Sequence, residues 1–190
     1  PVVGLKRGHD THVGPRHPNA LPRILSRNAH VLGPAIDRRM SEVRIEPVCD
    51  GAALADAHAV RRAVFIEEQG VSEAEEMDGK DDDAWHIVAY DDGTPVGTAR
   101  LREPDPGVAK MERVAVLESH RDCGVGRAIM HRLEDLARDL GMEEALLHAQ
   151  TSVEEFYSKL GYETTSDVFE EAEIPHVEMQ KALVRDSWTC

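Results

Sequence analysis

Apolar and polar residues change period along the chain, and the changes predict a series of short elements. "EVRIEPV" (42–48) alternates and predicts a strand. "LADAHAVRRAVFIEEQ" (54–69) carries Ala57, Val60 and Val64 at helical spacing, with Gly70 where a helix should stop. "VSEAEEMDGKDDD" (71–83) has no apolar period and reads as an acidic loop. "AWHIVAY" (84–90) and "TPVGTARL" (94–101) predict two strands joined by "DDG", a strong hairpin signal. A turn at 102–107 and a strand at "VAKMERVAV" (108–116) follow. Next come a glycine loop and a long amphipathic helix. Ile129, Leu133, Leu136, Ala137 and Leu140 line its apolar face, and Gly141 ends it. "EALLHAQ" (144–150) predicts a buried strand, "VEEFYSKLGY" (153–162) a short helix closed by Gly161, and "HVEMQKAL" (176–183) a last strand. Antiparallel hairpins followed by a strand–helix–strand unit predict a mixed, mostly antiparallel sheet flanked by helices, an α+β sandwich.

Composition divides the chain in two. Residues 1–39 hold seven Lys/Arg against two Asp/Glu, five prolines and no sustained period. They read as a poorly ordered basic extension that need not belong to the functional unit. A basic arm gripping an anion or a partner is the alternative. The spacing of His9, His12 and His17 is too loose to read as a metal tract. Residues 40–190, opening on "MSEVRIEPVCDG", form the predicted domain and carry fifteen Lys/Arg against thirty-four Asp/Glu. The whole chain has a net charge of −14 and only five lysines. Such a surface fits adaptation to high salt, with attraction of a cationic substrate as the rival reading. It argues against nucleic acid as the main partner. No apolar run approaches a membrane span, and residues 1–39 lack the apolar stretch of a secretory signal. Cys49, Cys123 and Cys190 are scattered, which suits a reducing compartment. Together these features predict a cytoplasmic protein without a resident metal.

The chemistry is concentrated at "ERVAVLESHRDCGVGRAIM" (112–130). The Walker pattern fails, because Arg127-Ala128 follows Gly126 where Lys-Ser/Thr is required. The Rossmann pattern fails at Ile129. A bare helix-entry turn would explain Gly-Val-Gly alone. Yet Arg121-x-x-Gly124-x-Gly126 follows a strand and opens a helix, where free amides and the helix dipole favour an anion. Gly124 and Gly126 admit close backbone approach, and Arg121 and Arg127 add positive charge.

With these residues the chain, from about Glu42 to Leu183, resembles the GNAT superfamily of acetyl-CoA-dependent N-acyltransferases, whose hallmark is Arg/Gln-x-x-Gly-x-Gly/Ala after the fourth strand. "FYSKLGY" (156–162) is similar to a later motif of that family. "VFIEEQGV" with "DG" (64–79), "HAQ" (148–150) and "IPHVEM" (174–179) resemble its ElaA/YjcF-type branch. The resemblance implies that the backbone of Asp122, Cys123, Gly124, Val125, Gly126 and Arg127 holds the pyrophosphate of acetyl-CoA, helped by Arg121. It implies that Val114 and Val116 pair with pantetheine, that a nearby strand amide polarises the thioester carbonyl, and that Tyr157 protonates the departing thiolate. Asp122 departs from the family, where glycine is common, and an anion there should weaken pyrophosphate binding.

The implied reaction is direct attack of a primary amine, of a small molecule or a peptide, on the thioester. Such an amine needs a base. Glu112 is the first candidate, since alternation places it on one strand face with Val114 and Val116. A solvent-facing strand Glu is an equal reading for Glu112, and a half-buried packing residue beside Phe156 is also open for Tyr157. His86 and His148 read more simply as core histidines, while His176 has no assigned role. The loop 67–83 is expected to border the acceptor site. A binding or sensing module for acyl-CoA without turnover is the alternative function, and an interaction protein using the basic arm is a third. Many relatives dimerise, so a homodimer is compatible with this reading.

Overall fold

The computed structural model describes residues 43–183. The readings for residues 1–39 and for Cys190 therefore lie outside the described residues. Eight strands form one sheet in the order β1-β2-β3-β4-β5-β8-β6, with β7 also pairing β8. They are β1 (Arg44–Pro47), β2 (Trp85–Asp91), β3 (Thr94–Arg102), β4 (Val108–Val116), β5 (Glu144–Gln150), β6 (Glu163–Thr164), β7 (Phe169–Glu171) and β8 (Ile174–Ala182). Only β4 and β5 pair in parallel. This is the α+β sandwich that the pattern predicts. The strands β6 and β7 are new, because two or three residues are too few to show a period.

Helix α1 (Gly51–Arg61) begins at Asp50, whose side chain accepts from the Ala53 amide. A π-helical stretch, Arg62–Glu68, continues it. The predicted acidic loop contains a one-turn helix, α2 (Glu73–Glu76), opened by a reciprocal capping box between Ser72 and Glu75. Helix α3 (Val125–Asp139) buries Val125, Ile129, Met130, Leu133, Leu136 and Ala137 against the opposite face of the sheet. That contact is close because β3 carries Gly97: a Cβ there would lie 2.7 Å from Ile129 Cδ1 and 3.2 Å from the Ala115 carbonyl oxygen. Helix α4 (Glu154–Ser158) follows β5. Its C-terminal turn is tied down by Lys181, whose Nζ donates to the Leu160 carbonyl (2.7 Å) and to the buried Glu134 of α3 (2.7 and 2.8 Å).

The two faces of the sheet differ. The α3 face is apolar apart from the Glu134–Lys181 pair, whereas the α1 face buries an ionic network. Arg61 and Arg100 are both fully enclosed. Arg61 binds Glu76 and Asp81, and Arg100 binds Asp78, Asp81 and Glu112. The acidic loop is thus not simply a solvated, salt-adapted surface. Three of its carboxylates turn inward and fasten it to the sheet. His86, also buried, faces this network through the Asp81 carbonyl (3.2 Å), in agreement with a core role.

Candidate functional site

Strand β4 shapes the site in two ways. It pairs with β5 only from Val108 to Met111, opposite Glu144 to Leu147. Beyond that point the two strands part, and residues 112–116 keep only their β3 partners. A bulge then falls between Glu112 and Ala115, because two steps on β3 (Thr98 to Arg100) match three on β4. Arg113 takes up the extra residue at φ +53°. Its guanidinium is anchored to Glu76 (2.8 Å) and to the Glu75 carbonyl (2.9 Å), so α2 holds the bulge in place.

The bulge overturns one expectation. Glu112 and Ala115 both face the α1 side, opposite Arg100 and Thr98. Val114 and Val116 face the other way and pack on the core beside Met111. Alternation fails because the extra residue reverses the side-chain parity, so Glu112 does not share a face with Val114 and Val116. Its carboxylate accepts from Arg102 (2.7 and 2.8 Å) and from Arg100 Nε (3.1 Å). Burial pushes the Glu112 carboxyl up, but Arg102, Arg100 and Lys110 together outweigh it and hold it at about 2. A carboxylate so well paired is a weak proton acceptor at neutral pH.

A cleft of about 900 Å³ opens where β4 and β5 separate. Val114, Val116, Gly124, Gly126, Phe156 and Tyr157 line one part of it. Helix α3 enters this region without a side-chain cap, from Gly124 at φ +93°. The first of its backbone donors with an acceptor is Ala128, bonded to the Gly124 carbonyl at 3.0 Å. Among the described residues, the amides of Val125, Gly126 and Arg127 find no acceptor. An uncapped helix start opening into a cleft is suited to an anion with several oxygens. Arg127 is exposed, lines the cleft and has no ion-pair partner among the described residues.

Arg121 is placed differently from Arg127. Its Nη1 and Nη2 clasp Glu68 at 2.7 and 2.6 Å, and its Nε donates to the Val116 carbonyl at 2.9 Å. Its charge is therefore shared with Glu68, and the guanidinium braces the loop against the π-helical stretch. Cys123 is half-buried, with its thiol donating to the His120 carbonyl. Asp122 is exposed at φ +59°, a conformation that explains why glycine would suit the position. Replacing it with glycine removes a negative charge beside the amides. Affinity for inorganic pyrophosphate in calorimetry is expected to rise roughly fivefold, or about 1 kcal/mol for a charge about 8 Å away at an intermediate dielectric.

Tyr157 lies in the cleft wall, edge-on to Phe156 and Tyr162, with ring centroids 5.0 and 6.0 Å away. Its hydroxyl has no partner among the described residues, and burial alone pushes the phenol up to about 12. The other part of the cleft holds Gln69, Glu112, His148, Gln150, Glu171 and His176. Gln150 Nε2 donates to Gln69 Oε1 at 2.9 Å, linking β5 to the end of the π-helical stretch across 81 residues. Spacing alone did not identify Glu68 and Gln69. Their only signal was the block "VFIEEQGV".

The chain was compared with known proteins. Residues 49–183 match the Acetyltransferase (GNAT) domain model. The chain is 46% identical over 129 residues to the uncharacterized N-acetyltransferase YjcF of Bacillus subtilis, covering 67% of this chain and 91% of that protein. A solved structure from Lactobacillus plantarum is 32% identical with TM-score 0.71, covering 75% of this chain and 99% of the other. Escherichia coli ElaA is 27% identical with TM-score 0.65, covering 73% and 99%.

Proposed function

Because the chain belongs to the acetyltransferase (GNAT) family, we propose that it transfers an acetyl group from acetyl-CoA to a primary amine of a small molecule or a peptide. The observation that carries this reading is the uncapped start of α3 on the same cleft as Tyr157. A donor supplies an activated thioester, and each part of the cleft then has work to do. The amides of residues 125–127, with Arg127, bind the diphosphate. The part of β4 that has left β5 offers its open edge to an extended pantetheine chain. The bulge at Arg113 turns a backbone amide out of the β3 ladder, where it can polarise the thioester carbonyl. The amine approaches from the α1 side, past Gln69 and Gln150.

Tyr157 then meets the departing sulfur. A phenol near 12 holds its proton throughout the neutral range. Passing that proton fully to a thiolate with an ordinary value of about 8.5 would be several kcal/mol uphill. Its role is therefore to donate a hydrogen bond to sulfur as charge develops, with full transfer only if donor binding lowers its value. Tyr157→Phe is expected to reduce kcat by roughly 10- to 100-fold, because one donor to the developing charge is lost. CoA affinity should stay within about twofold of wild type. Thiol release over a panel of amines, together with calorimetry, checks both values. Equal rates would remove Tyr157 from the reaction. Retained donor binding without turnover by the wild-type protein on any amine would favour a sensing module.

A further inference from the structure

The α1-side wall of the cleft is built by β5, β7 and β8, and their register fixes what meets there. His148 lies opposite Glu178, and Gln150 lies opposite His176. Phe169 also lies opposite His176, and Glu171 opposite Ile174. Directly opposed residues share a face, so the two histidines and Glu171 gather on one wall. Both imidazoles line the cleft but are engaged differently. His148 places Nδ1 2.7 Å from Glu171 Oε2 and Nε2 3.8 Å from Glu178 Oε2. Both of its nitrogens thus face carboxylates. His176 places Nδ1 2.7 Å from the Ile174 carbonyl. That oxygen can only accept, so Nδ1 carries the hydrogen and the neutral ring's lone pair is on Nε2. Nε2 has no partner among the described residues. The ring is mostly buried and stacks on Phe169, with an interplanar angle of 25° and centroids 6.2 Å apart. Its direction is therefore fixed.

We infer that His176 is the proton acceptor for the attacking amine. This rests on the acyl-transfer reading above. The balance is as follows: an N–H bond of the bound ammonium breaks and Nε2–H forms on His176. The freed lone pair makes the C–N bond to the thioester carbon. As the C–S bond breaks with its electron pair on sulfur, the second N–H bond of the acylated nitrogen breaks and its proton leaves through water, so the product is a neutral amide. The thiolate departs with a hydrogen bond from Tyr157 and takes its proton from solvent. The hydrogen on Nε2 leaves to solvent afterwards.

The charges facing His176 favour this role. Glu171 comes from β7, and the hydrogen bond from His148 on β5 holds its carboxyl below the ordinary range. Glu178 stands on the same strand as His176, and Lys110 on β4 acts on Glu171. Across the cleft Glu112 is committed to Arg100 and Arg102, and Glu75 and Lys80 line the far side. An imidazolium at His176 therefore forms beside an ionised Glu171.

The test is kcat/KM for an amine against pH, with acetyl-CoA as donor, in wild type, His176→Gln, His148→Gln and Glu171→Gln. Wild type should show a rising limb as the acceptor loses its proton. His176→Gln should lose that limb and about 100-fold in kcat at neutral pH, with CoA affinity and melting temperature little changed. Should this variant fold poorly, His176→Ala with added imidazole, which should restore rate in proportion to free imidazole base, is the second measurement. In Glu171→Gln the limb should persist, because the acceptor itself is intact. A His176→Gln enzyme that keeps both rate and limb, or a limb lost only in His148→Gln, overturns the inference while the acyl-transfer reading stands. A wild-type protein that does not bind acyl-CoA defeats both.

Discussion

Gly126→Glu is expected to abolish donor binding while leaving the fold intact. A Cβ at residue 126 meets Phe156 Cζ at 3.5 Å and Val116 Cγ2 at 3.8 Å, which are ordinary contacts. The backbone there is helical, so it carries no demand for glycine. The added carboxylate must leave along the cleft, where the proposed diphosphate lies against the amides of residues 125–127. Like charges 4–5 Å apart at an effective dielectric of about 20 repel by roughly 3–4 kcal/mol, which corresponds to a loss of at least 100-fold. Calorimetry with CoA should show no measurable heat, whereas thermal melting should shift by only a degree or two. Gly126→Ala should bind nearly as well as wild type, which separates charge and bulk from mere loss of glycine. Unchanged CoA affinity in Gly126→Glu would move the donor site away from this corner.

Arg100→Met should have the largest effect on stability. The guanidinium is fully enclosed. It binds Asp78 at 2.7 and 2.8 Å, Asp81 at 2.8 Å and Glu112 at 3.1 Å. Removing it leaves three carboxylates short of a partner in a poorly hydrated place. Breaking such a buried pair costs about 3–5 kcal/mol, or roughly 10 °C in melting temperature for a chain of this size. The pH dependence has a definite sign. The hydrogen bonds from Arg100 hold the Asp78 carboxyl well below the ordinary range. Burial pushes Asp81 up, but Arg61 and Arg100 outweigh it and it too is lowered. Glu112 sits at about 2. Depressed carboxylates stabilise the fold fully above their unfolded values, near 4, and lose that contribution as pH falls through their folded values. The gap between wild type and Arg100→Met should therefore be widest near neutrality and shrink below about pH 4. Melts at pH 7 and pH 3 measure it, and a gap independent of pH would mean that the network does not hold the loop.

The outline of the fold was legible because most of its elements have one buried face. The apolar stripe of α3 falls where its period places it, and β4 spans the predicted residues 108–116 although its bulge breaks the alternation. The glycine loop could be read as a helix entry, and α3 does begin there, from Gly124 and without a side-chain cap. The bulge at Arg113 was not legible: arginine has no preference for a positive φ, and the conformation is imposed by α2 through Glu76. The inward turn of the acidic loop was equally hidden, since a carboxylate shows no sign of its partner along the chain. A signal did exist. Arg61 occupies the apolar face of α1, four residues after Ala57, and Arg100 interrupts a buried strand. Two arginines at core positions imply anions to meet them. The free side of His176 depends on a carbonyl two residues away, which only the folded turn reveals.

The π-helical stretch has a mechanical corollary. An i→i+5 turn accommodates one residue more than an ordinary turn, which advances everything after it by about 100° around the axis. Glu68 and Gln69, at its end, reach Arg121, in the loop after β4 and bonded to the Val116 carbonyl, on one side of the fork and Gln150 of β5 on the other. Remove the surplus residue and both tips swing away together. The two prongs of the sheet are thus spanned by a single yoke whose setting depends on that one added residue.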